Sequence, residues 1–291
     1  MSTGRPILVT GSPRSGTTWC GQVLASQPSV FYVEEPFHQK HPPGVCEAEF
    51  DRWFQHIGPH NEDEYYEALR KTAELRYSVW RQARTAARGI QRKSKPGLSG
   101  IAEALTEWAR WTTARLNGKR PLLKDPIALF SAEWIADRFD AQVVVMVRHP
   151  AGFVHSIQRA GWRHPIEHLT SQPDLLDGVL SPIADELREA GARSLDIVEE
   201  AILLWKAICC AVDVYLQRHP EWIIVRNEDL AEHPIQEYRR LCSHFGFRST
   251  LACGIVCDGS RIHQMKLGTS PYMQPDETVE RRFASGRVSS L

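Results

Sequence analysis

The sequence predicts an α/β protein, a central parallel sheet of about five strands flanked by helices, and three observations predict it. Short apolar runs alternate with helical patterns along the 291 residues, the sequence form of a parallel sheet covered on both faces. One run, QVVVMV at 142–147, is continuous and β-branched, as befits a strand at the sheet centre. A third run, Ile7 to Val9, leads into a glycine-bounded loop, GSPRSGTTW, that opens a helix.

The elements follow in order. The first strand covers about residues 6–10, and Thr17 to Ser26 forms the helix after the loop. Val30 to Val33 is a second strand, ending at Glu34 and Glu35 where Pro36 stops it. A helical insert spans about 62–116. PLLKD at 121–125 is the third strand, with a helix through Phe139, and the fourth, Gln142 to Val147, feeds a helix from about Ala151 to Ala160. Residues 183–218 read as helical, with Ala201, Leu204, Ile208, Val212 and Tyr215 at helical spacing. Trp222 to Val225 is the fifth strand, followed by a helix near 234–245 and a Gly-, Ser- and Pro-rich C-terminal loop over about 259–291. There is no internal repeat and no low-complexity linker, so residues 1–291 are expected to form one domain.

Composition narrows the function. Thirty-five basic residues balance thirty-five acidic ones, which gives no global field for nucleic acid. No apolar run reaches the length of a membrane span, and the apolar run near the N-terminus is too short for a signal peptide. Seven scattered cysteines suggest buried thiols in a reducing, cytoplasmic setting rather than a disulfide framework. Cys253 and Cys257 have no companion pair at metal-ligand spacing, so no metal is expected.

The loop carries the chemistry. Gly11 and Gly16 stand four residues apart, as in G-x-x-x-x-G-K-[ST], but Thr17 occupies the lysine position and Arg14 sits inside the loop. Backbone N–H groups and the positive end of a helix still suit phosphate. The ammonium that holds a nucleoside triphosphate is gone, so the site suits a nucleotide with a short anionic tail. A kinase or NTPase with a degenerate Walker motif is the alternative, and the missing lysine and the lack of a convincing Walker-type aspartate count against it. Arg148 leaves the fourth strand, and Ser156 falls eight residues on, two turns into the next helix. Together they could grip a second phosphate; taken alone, Arg148 reads equally well as half of a structural ion pair.

With both motifs in view the chain resembles the sulfotransferases that use 3'-phosphoadenosine 5'-phosphosulfate (PAPS) and release 3',5'-bisphosphoadenosine (PAP). SPRSGTTW is similar to their 5'-phosphosulfate loop and VRHPAGFVHS to their 3'-phosphate motif. Within the family the chain looks most like the tyrosylprotein and carbohydrate branch, through KDPIAL at 124–129 and Glu35. The resemblance implies sulfuryl transfer to an acceptor hydroxyl, without a metal. It implies Arg14 and Lys124 around the sulfonate, and the backbone of Ser15, Gly16, Thr17 and Thr18, with both threonine hydroxyls, around the 5'-phosphate. Arg148 and Ser156 take the 3'-phosphate, and Glu35 is the general base. Successive strand residues point to opposite faces, so only one of Glu34 and Glu35 should face the site, and the resemblance selects Glu35. Trp19 matches a tryptophan that lies against adenine, and a core tryptophan is nearly as good a reading. The cytosolic branch places a histidine where Pro126 stands, and His38 and His149 do not match that motif, so they are read as supporting or structural. Asn227 replaces a family tyrosine. Lys266, Arg281 and Arg282 are further cofactor candidates without a firm alignment.

Residues 70–95 hold nine basic residues (Arg70, Lys71, Arg76, Arg81, Arg84, Arg88, Arg92, Lys93, Lys95) and one acidic, Glu74. They read as a solvated helix face, or as an edge that attracts an acidic or lipid-linked acceptor. Trp108 and Trp111 are expected in the core.

Overall fold

A computed structural model describes residues 3–87 and 98–248. Its framework is a parallel sheet of β1 (Ile7–Gly11), β2 (Val30–Glu34), β3 (Arg120–Lys124), β4 (Gln142–Val147) and β5 (Ile223–Arg226), in spatial order β2-β3-β1-β4-β5. Helix α1 (Thr17–Ala25) follows β1, and the insert between β2 and β3 holds α2 (Glu62–Ala73), α3 (Val79–Ala87) and α4 (Leu98–Leu116). A 3₁₀ turn (Pro126–Ser131) and α5 (Ala132–Phe139) join β3 to β4. Helices α6 (Pro150–Ala160), α7 (Glu167–Thr170), α8 (Pro173–Asp177), α9 (Ala184–Gly191) and α10 (Ile197–Arg218) lie between β4 and β5. Helices α11 (Asn227–Glu232) and α12 (Pro234–His244) follow β5.

Side-chain alternation along the strands divides the apolar residues between two layers. Ile7, Val9, Leu122, Val144, Met146 and Val225 face one layer, where Cys20 and Leu24 of α1 and Leu241 of α12 cover them. Leu8, Phe31, Leu123, Val143 and Val145 face the other, under α5, α6, α10 and the insert helices. Both faces are therefore buried, which is why QVVVMV carries no polar residue after Gln142.

One stretch departs from the sequence expectation, and another had none. The helical region 183–218 is broken before Asp196, which caps α10 by accepting from the N–H groups of Val198 and Glu199, each at 2.8 Å, while the Glu199 carboxylate accepts from the Asp196 N–H. Residues 35–61 form neither helix nor strand yet bury Phe37, Phe50, Phe54 and Ile57. Aromatic stacking organises this segment, with Phe37 on Phe50 at 4.7 Å and Phe50 on Tyr65 at 5.3 Å. Side chains meet its buried backbone, as they must where no ladder does. The His41 ring nitrogens lie 2.7 and 3.0 Å from the His38 and Cys46 carbonyls. Ser131 Oγ donates to the Gln55 carbonyl and accepts from Ile57 N–H.

The C-terminal loop over 259–291, with Lys266, Arg281 and Arg282, lies outside the described residues, as do Cys253, Cys257 and the basic residues Arg88, Arg92, Lys93 and Lys95.

Candidate active site

The connection from β1 runs toward β2 and that from β4 toward β5, on the other side. The carboxyl ends of β1 and β4 are thus a topological switch point, where open α/β sheets bind ligands. The loop there is shaped by two glycines. Gly11 has φ 129°, and a Cβ at that position would lie 2.0 Å from the Met146 carbonyl oxygen; the neighbouring Ser12 N–H donates to that oxygen at 2.8 Å. Gly16, φ 92°, is the N-cap of α1 and offers no side-chain acceptor to its first N–H groups, which leaves them for a ligand. Ser15 Oγ donates to the Ser12 carbonyl, and Asn227 Nδ2 donates to the Ser15 carbonyl at 3.0 Å. Asn227, standing in place of the family tyrosine, therefore fixes the loop from β5.

The structure joins Arg14 to the pair expected at the second phosphate. Arg14 Nε donates to Ser156 Oγ at 2.9 Å, and Arg148 Nη1 donates to the Arg14 carbonyl at 2.7 Å. The indole of Trp205 on α10 holds the Arg148 carbonyl, and the Arg14 guanidinium lies 5.1 Å over the Trp162 ring. Arg14 itself has φ 63°, an unusual conformation for a side chain with Cβ. Burial, with the positive charges of Arg148 and Arg159, holds its guanidinium below the usual arginine range. Among the described residues none of these three arginines makes an ion pair. Two half-buried arginines, Arg14 and Arg148, with exposed Arg159 nearby favour an anion with several oxygens.

Lys124 belongs to a second cluster, at the ends of β2 and β3. It is fully buried, and its ammonium lies 2.5 Å from Glu35 Oε1 and 3.4 Å from Glu34 Oε1. Here the strand-alternation expectation fails. Strand β2 ends at Glu34, and Glu35 turns to φ 42° while its N–H still donates to the Lys124 carbonyl. The left-handed turn cancels the alternation, so both carboxylates converge on one lysine. Asp125 lies beside them, accepting from Phe37 N–H at 2.7 Å and from Ile127 N–H at 3.1 Å. Burial and then the Glu35 charge push its carboxyl up to about 8. Sequence reasoning passed over Asp125, although an acidic residue before Pro126 carries the signature of a helix N-cap. It also passed over Arg159 and Trp162, for which no local motif exists.

The remaining candidates fall on either side. Thr17 is buried at the start of α1 and Thr18 half-buried. Trp19 is half-buried and packs with Val23, Tyr238 and Cys242 between α1 and α12. The ring of His149 caps α6 through Ala151 N–H, a structural part, and buried His38 sets its ring edge-on to Trp53. In the insert, Arg70 pairs with Glu67 and Glu74, Lys71 with Glu47 and Arg76 with Glu74, while Arg81 donates to the Glu47 carbonyl. Trp111 is buried against Phe31 and Tyr77, whereas Trp108 is exposed, so the core expectation holds for one of the two. The thiols of Cys20 and Cys46 are pushed up to about 12 and 11 by burial and are inert.

Fold and site define a class, an α/β protein with a P-loop-type loop at its switch point and a lysine–carboxylate cluster alongside. A sequence model of the sulfotransferase family matches residues 6–250, and the chain belongs to that family. Among solved structures, the chain is similar to the sulfotransferase domain from the curacin biosynthetic pathway, at 15% identity over 86% of this chain and 76% of that one, TM-score 0.46. The sulfotransferase domain from the Synechococcus PCC 7002 olefin synthase matches at 15% identity over 100% of this chain and 91% of its own, TM-score 0.44. No curated protein matches.

Proposed function

We propose that the protein transfers the sulfuryl group of PAPS to an acceptor hydroxyl, with Glu35 as general base. The observation that carries this reading is the buried Lys124–Glu35 pair, set beside a loop whose Arg14, like Arg148 next to it, has no carboxylate partner among the described residues. The donor set fits a nucleotide with two separate anionic groups. Backbone N–H groups of residues 15–18 and the Thr17 and Thr18 hydroxyls would hold the 5'-phosphate, and Arg148, Ser156 and Arg14 would hold the 3'-phosphate side. Bound there, PAPS would supply an activated sulfuryl group and a stable leaving phosphate. The chain's own residues do the rest. Lys124 places a fixed positive charge where negative charge builds during transfer, in a buried position where such charges act strongly. Glu35 takes the acceptor proton, and its left-handed turn with the Asp125 clamp on the next residues keeps its carboxylate at Lys124. A cytoplasmic location goes with the unpaired thiols of the described cysteines.

The test is direct. PAP should raise the melting temperature while ATP with magnesium has little effect, and the Glu35→Gln variant should keep that shift while losing at least about 10²-fold in transfer from labelled PAPS. Stabilisation by ATP and not by PAP would overturn the donor assignment. Full activity of Glu35→Gln would remove the base.

A further inference from the structure

The insert carries a surface that the site does not use. Helix α4 buries Gly100, Ala104, Trp111 and Ala114 on one side. On the opposite side Leu98, Ala102, Leu105, Ala109, Thr112 and Leu116 recur at spacings of four and three, which places them on one line along the helix. That line should face the core in an ordinary surface helix. Here Leu98 is 85% exposed, Leu105 53% and Leu116 64%, with Trp108 exposed at its flank. The four charged residues of α4, Glu103, Glu107, Arg110 and Arg115, all fall off the line.

The neighbouring helix gives the sign of the partner. Helix α3 packs along α4 and presents Trp80, 81% exposed, beside exposed Arg81 and Arg84. From Leu75 to Ala102 the sequence holds seven lysines and arginines and no acidic residue. An apolar, tryptophan-bearing face whose described charges are net basic, Arg81, Arg84, Arg110 and Arg115 against Glu103 and Glu107, complements an anionic lipid surface, where aromatic and leucine side chains enter the interface and cations meet the headgroups. No helix among the described residues is long and apolar enough to cross a membrane, so contact in the plane is the mode that fits.

The surface is also tied through the chain to the elements that carry the site. Ser78 N–H donates to the Gly44 carbonyl, and Gly44 N–H to Gln82 Oε1, so α3 is fastened to the segment that leaves Glu35. A short turn after Leu116 joins α4 to β3, the strand that ends at Lys124. We propose that the α3–α4 face seats the protein on anionic membranes and so presents the Glu35 side of the site to an amphiphilic, membrane-borne hydroxyl acceptor. The acceptor clause rests on the sulfuryl-transfer reading; the membrane contact does not.

The experiment is cosedimentation of the full chain with vesicles of phosphatidylcholine alone and of equimolar phosphatidylcholine and phosphatidylserine. Binding is expected to the anionic vesicles, at least about tenfold weaker to the neutral ones, and weakened by salt. The triple variant Trp80→Ser, Leu105→Ser, Trp108→Ser, confined to exposed positions, should lose at least about tenfold in vesicle binding while keeping the parent's melting temperature and its response to PAP. No binding to anionic vesicles, or equal binding by the variant, sinks the proposal. So does light scattering that shows an oligomer which the variant disperses, since that assigns the face to a second copy of the chain. If vesicle binding behaves as expected but PAP fails to stabilise the protein, the membrane surface stands and the sulfuryl-transfer reading falls.

Discussion

Glu35 shows how much one residue's backbone can decide. Its φ of 42° costs energy that an ordinary strand residue would avoid, and the surrounding hydrogen bonds hold it there. The result is a lysine shared by two carboxylates instead of one. Asp125, behind that pair, has a consequence for stability. Its folded carboxyl is raised from 3.8 to about 8 by burial and the Glu35 charge, so the native state binds more protons than the unfolded state between those values. Stability from this group is fully present below about pH 4 and is lost as pH rises through about 8, at up to about 1.4 kcal/mol per pH unit. Chemical denaturation from pH 4 to 8 should show the parent losing stability relative to Asp125→Asn as pH rises; parallel curves would refute the effect. At Gly11 a Cβ would meet the Met146 carbonyl at 2.0 Å in a left-handed conformation. Gly11→Ala should therefore lower unfolding free energy by at least about 2 kcal/mol in a urea titration.

At the scale of elements, the strands and their following helices were legible because each strand is a short apolar run and each helix begins with a recognisable signal. Pro150 at the first position of α6, with His149 as cap, is one such signal. Asp196 and Glu199 form another, a capping box inside the stretch expected to be helical over about 183–218. Asp196→Ala should cost about 1 kcal/mol, read by equilibrium unfolding, because two N–H groups of α10 lose their acceptor; no change would mean that tertiary packing, not the cap, holds the start of α10. Residues 35–61 were not legible. Their order comes from ring stacking and from distant side chains such as Ser131 and Gln172, to which no local periodicity points.

Across the whole molecule, the candidate site collects residues from the carboxyl ends of all five strands. Glu34 and Glu35 follow β2, Lys124 closes β3, the loop follows β1, Arg148 follows β4 and Asn227 follows β5. A ligand spanning these ends ties both halves of the sheet together. PAP at 100 times its dissociation constant should then add about 2.7 kcal/mol to global unfolding, seen as slower amide exchange in the strands as well as in the loop. Protection confined to the loop would show that the halves are not coupled.

By itself the sequence determined the strand–helix order, the loop in which Thr17 stands at the P-loop lysine position with Arg14 inside the turn, and the spacing of Arg148 and Ser156 after the fourth strand. Those follow from local periodicity and from residue chemistry at short spacing, which a linear chain displays directly. Only the tertiary structure decided that Arg14 joins Ser156 and Arg148, that Lys124 is shared by Glu34 and Glu35 with Asp125 behind it, and that one face of α4 is left apolar and exposed. Each of these depends on where the sheet order β2-β3-β1-β4-β5 brings distant segments together, and on one left-handed turn at Glu35 that no spacing rule anticipates.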